Sequence, residues 1–123
     1  MSIRPALLLL SLATLASCAK PLGLSLPSDK PLELKIYSHG APVQTCGIAP
    51  GSSQFQKLVD LLTANRDEWE PTPVTFVPSV LVTGDGFSIN FLKDFAVVNY
   101  ADGQFKHPIP ASEYAFLGCG DGT

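Results

Sequence analysis

The fold of this chain is decided by residues 74–91, Val-Thr-Phe-Val-Pro-Ser-Val-Leu-Val-Thr-Gly-Asp-Gly-Phe-Ser-Ile-Asn-Phe. Residues 74–83 are rich in strand-forming side chains, and Pro78 within them favours an edge strand or a bulge. The Gly-Asp-Gly at 84–86 is a hairpin signal, and the residues after it alternate between apolar and polar side chains. The stretch therefore predicts two antiparallel strands joined by a tight turn.

The residues that follow predict more strands of the same meander. Lys93-Asp94 is a turn, and Phe95–Tyr100 is an apolar run typical of a buried strand. Asp102-Gly103 is a further hairpin turn, and Gln104–His107 is a short strand after it. Pro110–Leu117 predicts a last helical turn or two, with the proline in the first turn.

A strand and a loop are predicted upstream of the meander. Leu32–Tyr37 alternates strictly, so Leu32, Leu34 and Ile36 should face a core. Residues 39–52, rich in Gly and Pro, are predicted to be a loop that carries Cys46.

One amphipathic helix is expected between this loop and the meander. Ser53 and Gln56 have the spacing of a capping box, which makes Ser53 the predicted N-cap. Asn65 is the predicted left-handed C-terminal residue. The apolar residues at i, i+3, i+4 and i+7 form one face of the helix; they are Phe55, Leu58, Val59 and Leu62.

These elements follow in the order β-α-β-β-β-β and predict one α+β domain over residues 32–123. An antiparallel meander of four to five strands should carry the main helix on one face, giving a small domain of two layers. The other face of the sheet should be solvated or free to meet a partner.

The N-terminus has the layout of a secretory signal. One basic residue, Arg4, precedes an apolar run from Ala6 to Ala16, which ends in small residues. The run is about 11 residues long, whereas a helix that crosses a bilayer needs roughly 20. The segment is therefore predicted to be removed rather than to span a membrane.

Leu15-Ala16-Ser17-Cys18 resembles the lipobox of bacterial lipoproteins at each of its positions. The resemblance covers the first 18 residues. It implies that residues 1–17 are cleaved off and that Cys18 receives a diacylglyceryl group and a further acyl chain, enough for stable anchoring. Ala19 in place of Asp implies transfer to the outer membrane, facing the periplasm, in a Gram-negative cell. An ordinary secretory signal that ends near a cysteine is the alternative.

Residues 18–31 are predicted to be the lipidated cysteine and a proline-rich tether. At about 3.1 Å per residue, such a tether could hold the domain up to about 40 Å from the bilayer. The alternative is a short edge strand, with which the alternation of Leu22, Leu24 and Leu26 is compatible.

With Cys18 assigned to lipid, Cys46 and Cys119 remain as a pair in an oxidising compartment. We expect them to form a disulfide, whose closed loop would contribute roughly 4 kcal/mol to a small domain. A two-cysteine metal site or a redox pair is the alternative. The chain has no Cys-x-x-Cys, and the spacing of His39 from Cys46 is not typical of zinc.

Charge and motif content narrow the function. The chain after residue 17 has seven Lys or Arg and 11 Asp or Glu residues, a formal net charge of −4. This balance argues against a nucleic-acid partner, which would favour a basic surface. No hydrolase elbow, phosphate loop, dinucleotide fingerprint or calcium loop is present, so no catalytic residue, metal ligand or cofactor is assigned. His39 and His107 are interpreted as turn or surface residues.

Three aromatic residues, Trp69, Tyr37 and Tyr100, are the candidates for partner binding, because aromatic side chains anchor protein interfaces. Trp69 has an alternative role as a core residue that closes the end of the helix. The function predicted is a small envelope module, inhibitor-like or immunity-like, that binds another protein. A structural or assembly accessory of the envelope is the alternative, and a small hydrolase is the third possibility.

Overall fold

The computed structural model describes residues 19–120, so the predicted signal at 1–17 and the predicted lipidation site Cys18 lie outside the described residues. The described elements are β1 (Leu32–Ser38), β2 (Ala41–Ile48), α1 (Ser53–Ala64), β3 (Glu70–Pro71), β4 (Val80–Gly84), β5 (Phe87–Phe91), β6 (Phe95–Tyr100), β7 (Gly103–Pro108) and a 3-10 turn at Ala111–Glu113.

All seven strands form one antiparallel sheet in the order β2-β1-β4-β5-β6-β7-β3. The α+β class with one main helix is confirmed in outline. The number of strands exceeds the four to five predicted, because β2 and the two-residue β3 were not expected. The predicted hairpin at 84–86 is confirmed: Gly84 pairs with Phe87, and Asp85-Gly86 forms the turn.

Helix α1 covers one face of the sheet, here called the inner face. Its buried residues are Phe55, Leu58, Leu61 and Leu62, while Val59 is half-buried. They pack on the apolar side chains that neighbouring strands present to the same face; the fully buried ones are Leu32, Leu34, Ile48, Val82, Ile89, Phe91 and Val98. Alternating residues of each strand meet one core, as the period of a strand requires.

Both predicted helix caps need correction. The N-cap is Ser52, whose Oγ accepts a hydrogen bond from the Phe55 N–H at 3.1 Å, so Ser53 is the first helical residue. Asn65 does end the helix, but at a φ of −111° it is not left-handed. Its backbone N–H and side-chain amide both donate to the Leu61 carbonyl, which satisfies that oxygen without a left-handed residue.

The predicted loop at 39–52 is wrong over most of its length, because residues 41–48 form β2. His39 and Gly40 both have positive φ, 53° and 83°, and Ser38 pairs with Ala41 across them. This is a two-residue hairpin turn with the twist that antiparallel strands require. Strand β2 shows no apolar alternation because, as the outermost strand, it contributes only Cys46 and Ile48 to the core.

The strand predicted from residue 74 begins only at Val80. Residues 72–79, here called the strap, cross the outer face of the sheet outside its strands. Backbone hydrogen bonds fix the two ends, from the Thr72 N–H to the Gln104 carbonyl and from the Tyr37 N–H to the Ser79 carbonyl. Asn90 of β5 accepts a hydrogen bond from the Ser79 N–H at 2.9 Å and donates to the Val77 carbonyl at 3.0 Å. Gln104 of β7 donates to the Thr72 and Val74 carbonyls, both at 2.8 Å. The strap therefore covers part of the face that was expected to be solvated or free.

The N-terminal residues differ from the extended tether predicted for 18–31. Lys20 and Trp69 exchange two backbone hydrogen bonds of 3.0 and 2.8 Å, and the Leu22 N–H donates to the Arg66 carbonyl at 2.8 Å. Leu22 is buried, and two further leucines at 24 and 26 pack against the core. We call residues 20–26 the N-terminal clamp. They make one isolated bridge rather than the edge strand considered from their alternation.

The last predicted helix is shorter than expected, since 110–117 contains only the 3-10 turn Ala111–Glu113. The chain beyond it packs back on the domain through Tyr114, whose hydroxyl donates to the Leu92 carbonyl at 2.8 Å. Among residues 19–120, no helix has both the length and the apolar character needed for a membrane crossing.

Candidate functional site

Trp69, the first predicted interface residue, is fully buried at the end of the helix. Its indole N–H donates to the Asn65 carbonyl at 2.6 Å, and its ring stacks on His107 with centroids 5.0 Å apart. The side chain therefore belongs to the core, which was the alternative considered for it. A partner that contacts the folded domain cannot reach this ring.

Tyr100, the second candidate, fixes the N-terminal clamp. Its hydroxyl accepts a hydrogen bond from the Gly23 N–H at 2.9 Å and donates to the Asp102 carboxylate at 3.2 Å. Burial, helped by the negative charge of Asp102, raises the pKa of Tyr100 above its ordinary value. The hydroxyl is therefore a neutral structural group, held between the clamp and a turn.

Tyr37, the third candidate, is half-buried and lies on the outer face of β1, opposite Pro42 of β2. Its backbone N–H donates to the Ser79 carbonyl at 2.9 Å, where the strap ends. Of the three aromatic residues, this one lies beside the outermost strand. The structure thus separates the three predicted residues and does not join them in one patch.

The two histidines have different structural surroundings. His39 occupies the exposed β1–β2 turn, where its Nδ1 is 3.0 Å from the Ser38 Oγ. His107 Nδ1 lies 3.1 Å from the Glu68 carbonyl, and its ring stacks on Trp69. Among the described residues, neither ring is hydrogen-bonded or ion-paired to a carboxylate, the group that commonly orients the base of a nucleophilic site.

The predicted disulfide between Cys46 and Cys119 is confirmed, with a Cα–Cα distance of 5.6 Å. It joins β2 to the C-terminal segment. The side-chain amide of Gln54 supports the same segment by donating to the Phe116 and Gly118 carbonyls at 3.1 and 3.0 Å. The bond thus holds the outermost strand against the domain at the end of β2 that follows the bulge.

Strand β2 is the candidate interaction site, because within residues 19–120 it forms one edge of the sheet and pairs only with β1. Its sequence, Ala-Pro-Val-Gln-Thr-Cys-Gly-Ile, contains no charged residue. Residues 41–45 are exposed, and Val43 is 59% exposed. Val43 has no partner in the register with β1, which marks a β-bulge near the turn. A strand of this kind leaves one row of backbone N–H and C=O groups open to another chain.

Much of the remaining surface of the sheet is covered. Helix α1 covers the inner face, the strap covers the outer face over β5–β7, and Lys20 of the N-terminal clamp pairs with Trp69 directly before β3. The strap leaves a groove of about 450 Å³ against the sheet. The amides of Asn90 and Gln104 in this groove are hydrogen-bonded to the strap itself. At the β1–β2 end of the described sheet, side chains and the outer row of backbone N–H and C=O groups of β2 both remain exposed.

One sequence signal would have identified this edge. His39-Gly40 directly follows the alternating strand β1. A residue followed by glycine at this place is compatible with a two-residue hairpin turn. Histidine tolerates positive φ better than most residues, which the observed φ of 53° at His39 requires. Nothing in the residue pattern indicated the strap, whose contacts depend on two amides from distant strands.

Within residues 19–120, no three His, Cys, Asp or Glu side chains converge in the manner of a metal site. Comparison of the chain with protein-family models, with curated proteins and with solved structures found no match.

Proposed function

We propose that this chain is a lipoprotein of the bacterial cell envelope, anchored through Cys18, whose domain binds another protein by accepting an extended segment alongside β2. The similarity of residues 15–18 to a lipobox supports the anchor and the placement in the outer membrane, facing the periplasm. The open edge of the sheet supports the mode of binding.

The observation that carries the binding proposal is the combination of exposure and neutrality in β2. Edge strands are commonly protected by lysine, by proline or by a bulge. In β2, Pro42 and the bulge at Val43 protect only the end beside the turn. Residues 44–48 have neither proline nor charge, and β1 together with the disulfide at Cys46 holds them in place. They offer a rigid template for strand addition.

The chemistry of this edge defines the kind of partner. Main-chain hydrogen bonds would supply affinity, and alternate side chains of the added strand would supply specificity. Glu33 and Lys35 on β1 lie 3.8 Å apart, so the charges beside the edge are balanced. The partner is therefore an uncharged or mixed extended segment of an envelope protein. An inhibitor or immunity protein, which blocks its target by binding, is the class of function that fits.

Photo-crosslinking in cells tests this proposal. A benzophenone amino acid replaces Thr45, which is exposed on β2, and in a matched protein it replaces Gln56, which is exposed on α1. We expect one discrete heteromeric adduct from position 45 and none from position 56. Thr45→Lys should reduce binding of the identified partner at least about tenfold, because an edge lysine opposes strand addition. Gln56→Lys adds the same charge away from β2 and should leave binding unchanged.

Two results would contradict the proposal. Equal loss of binding in the two lysine variants would place the contact away from β2. An adduct at position 45 with the mass of two copies of this chain would identify self-assembly, the role of a structural accessory, in place of a separate partner. The anchor is tested on the native protein by intact mass, which should show loss of residues 1–17 and acyl groups at Cys18.

A further inference from the structure

The N-terminal clamp fixes where the chain leaves the folded domain. Lys20 is paired through both of its backbone groups with Trp69, a fully buried residue. Leu22 is buried two residues later, and the Gly23 N–H is bonded to the Tyr100 hydroxyl. Three successive attachments to the core make residue 20 part of the domain rather than of a linker.

Covalent geometry then limits the distance between the domain and the predicted lipidation site. Cys18 precedes Lys20 by two residues, which span at most about 7 Å when fully extended. A free tether from 18 to 31 would have allowed about 40 Å. The clamp removes most of this freedom before the chain reaches the anchor.

The order of the strands defines what lies near the anchor and what lies far from it. Trp69 directly precedes β3, the strand at one edge of the sheet, and β2 forms the opposite edge. Six strand-to-strand spacings separate the two, or about 29 Å at the usual distance between neighbouring strands. The anchored edge and the open edge are therefore at opposite ends of the sheet.

From this geometry we propose that the surface formed by Lys20 and β3, under which Trp69 is buried, faces the bilayer, and that the clamp holds the open β2 edge away from the membrane. The inference rests on the lipid anchor of the proposed function. It adds that the domain lies directly on the lipid headgroups in one orientation.

The charges on this surface indicate what holds it there. Lys20 and Lys106 are exposed near Glu68 and Glu70, so cationic and anionic groups are mixed. The Lys20 ammonium lies 4.7 Å from the centre of the Phe105 ring, within cation–π distance. A mixed surface gains little from anionic lipids, so the orientation follows from the short covalent link and not from electrostatic attraction.

The chain contains one tryptophan, and Trp69 is buried directly beside Lys20 and β3, which allows a direct measurement. Lipidated full-length protein is purified and reconstituted into vesicles of phosphatidylethanolamine and phosphatidylglycerol with a small fraction of dansyl-headgroup lipid. Energy transfer from Trp69 to dansyl reports its distance from the headgroups. We expect high transfer in the wild-type protein.

Three variants test whether the clamp sets this distance. Lys20→Pro removes the N–H that bonds to Trp69, whereas Lys20→Ala keeps it. A Gly-Ser insert of about 12 residues between Ala19 and Lys20 leaves the clamp intact but adds an r.m.s. reach of about 19 Å. We expect transfer at the wild-type level in Lys20→Ala and at least about twofold lower transfer in the other two proteins. Val43→Trp places a second fluorophore on β2, and its contribution should show lower transfer than Trp69.

The outcomes separate this inference from the proposed function. Vesicle-bound protein with equal transfer in the wild-type, Lys20→Pro and insert forms would overturn the fixed orientation and leave the anchor intact. Transfer from the indole introduced by Val43→Trp that equals or exceeds the transfer from Trp69 would overturn it as well. Protein that stays in the supernatant and carries no acyl groups would overturn the anchor and the orientation together.

Discussion

The two edges of the sheet are built in opposite ways. At the β3 edge, the strand has only two residues, but Trp69 beside it is fully buried and is bonded to the N-terminal clamp. At the β2 edge, the strand has eight residues, yet most of its side chains are exposed, and in the described part of the chain β1 is its single strand neighbour. The short β3 edge is thus closed by packing. The long β2 edge is left open and is supported by the Cys46–Cys119 disulfide.

The length of an edge strand therefore does not indicate which edge of the sheet is the more stable. Buried apolar area stabilises the β3 edge at roughly 25 cal/mol per Å², and Trp69 and Leu22 supply much of it. Strand β2 contributes Ile48 to the core, but residues 41–45 rely on the ladder with β1, and the Cys46–Cys119 bond supports the strand between them. Mutations that remove packing should therefore act strongly beside β3 and weakly in residues 41–45 of β2.

The largest contrast is expected between Trp69→Ala and Val43→Ala. Removal of the fully buried indole should destabilise the domain by about 5 kcal/mol, because a cavity forms and the Asn65 carbonyl loses its donor. Val43 is 59% exposed, so its truncation should stay within about 0.5 kcal/mol. Urea unfolding followed by circular dichroism measures both. Comparable losses in the two variants would show that the edges do not differ.

Removal of the disulfide should have the next largest effect. The double variant Cys46→Ala, Cys119→Ala should lose about 4 kcal/mol, because the bond closes a long loop in the unfolded chain. The loss should be accompanied by faster amide exchange in β2 than in β6, where strands pair on both sides. Unchanged protection of β2 in this variant would show that its ladder with β1 is sufficient.

Leu22→Ala measures the strength of the clamp. A buried leucine truncated to alanine costs about 2–3 kcal/mol, whereas the same change in a free tether would cost nothing. Val77→Ala on the strap, where the side chain is 75% exposed, is the matched control and should be nearly neutral. An unfolding midpoint of Leu22→Ala equal to that of the control would show that residues 20–26 are a free tether and not a clamp.

The alkaline stability profile tests the bond between Tyr100 and the clamp. Burial raises the pKa of Tyr100 in the folded state, so its neutral form is favoured there. The contribution is complete below pH about 10, the ordinary value for tyrosine, and is lost as the pH rises through the folded-state pKa. Tyr100→Phe should lose about 1 kcal/mol near neutral pH and show a shallower decline above pH 10. Parallel profiles for the two proteins would contradict this role.

Local signals in the chain predicted one part of this fold well. The turn at 84–86, the turn at Lys93-Asp94 and the helix beginning near Ser53 all depend on neighbouring residues, and the structure has each of them within one or two positions. The disulfide followed from the number of cysteines left after Cys18. These features need no knowledge of how distant segments meet.

The features that escaped prediction depend on distant contacts. Strand β2 has no apolar alternation because, among the described residues, it pairs with a strand on one side and contributes two side chains to the core. The clamp has the sequence of a tether because its leucines find their partners some 40 residues later, beside Trp69. The strap is held by Asn90 and Gln104, polar residues that the pattern places on a solvated face. The candidate site could not be predicted for the same reason. Whether a strand lies at the edge of a sheet depends on where the other strands of the chain pair.

Amide hydrogen exchange on the folded protein tests the contrast between the edges most directly. We expect slow exchange, close to that of global unfolding, for the Leu22 and Trp69 amides, and fast exchange for those β2 amides that have no partner in β1. Exchange of the Leu22 amide at the rate of an unstructured chain, with the whole of β2 protected, would contradict it.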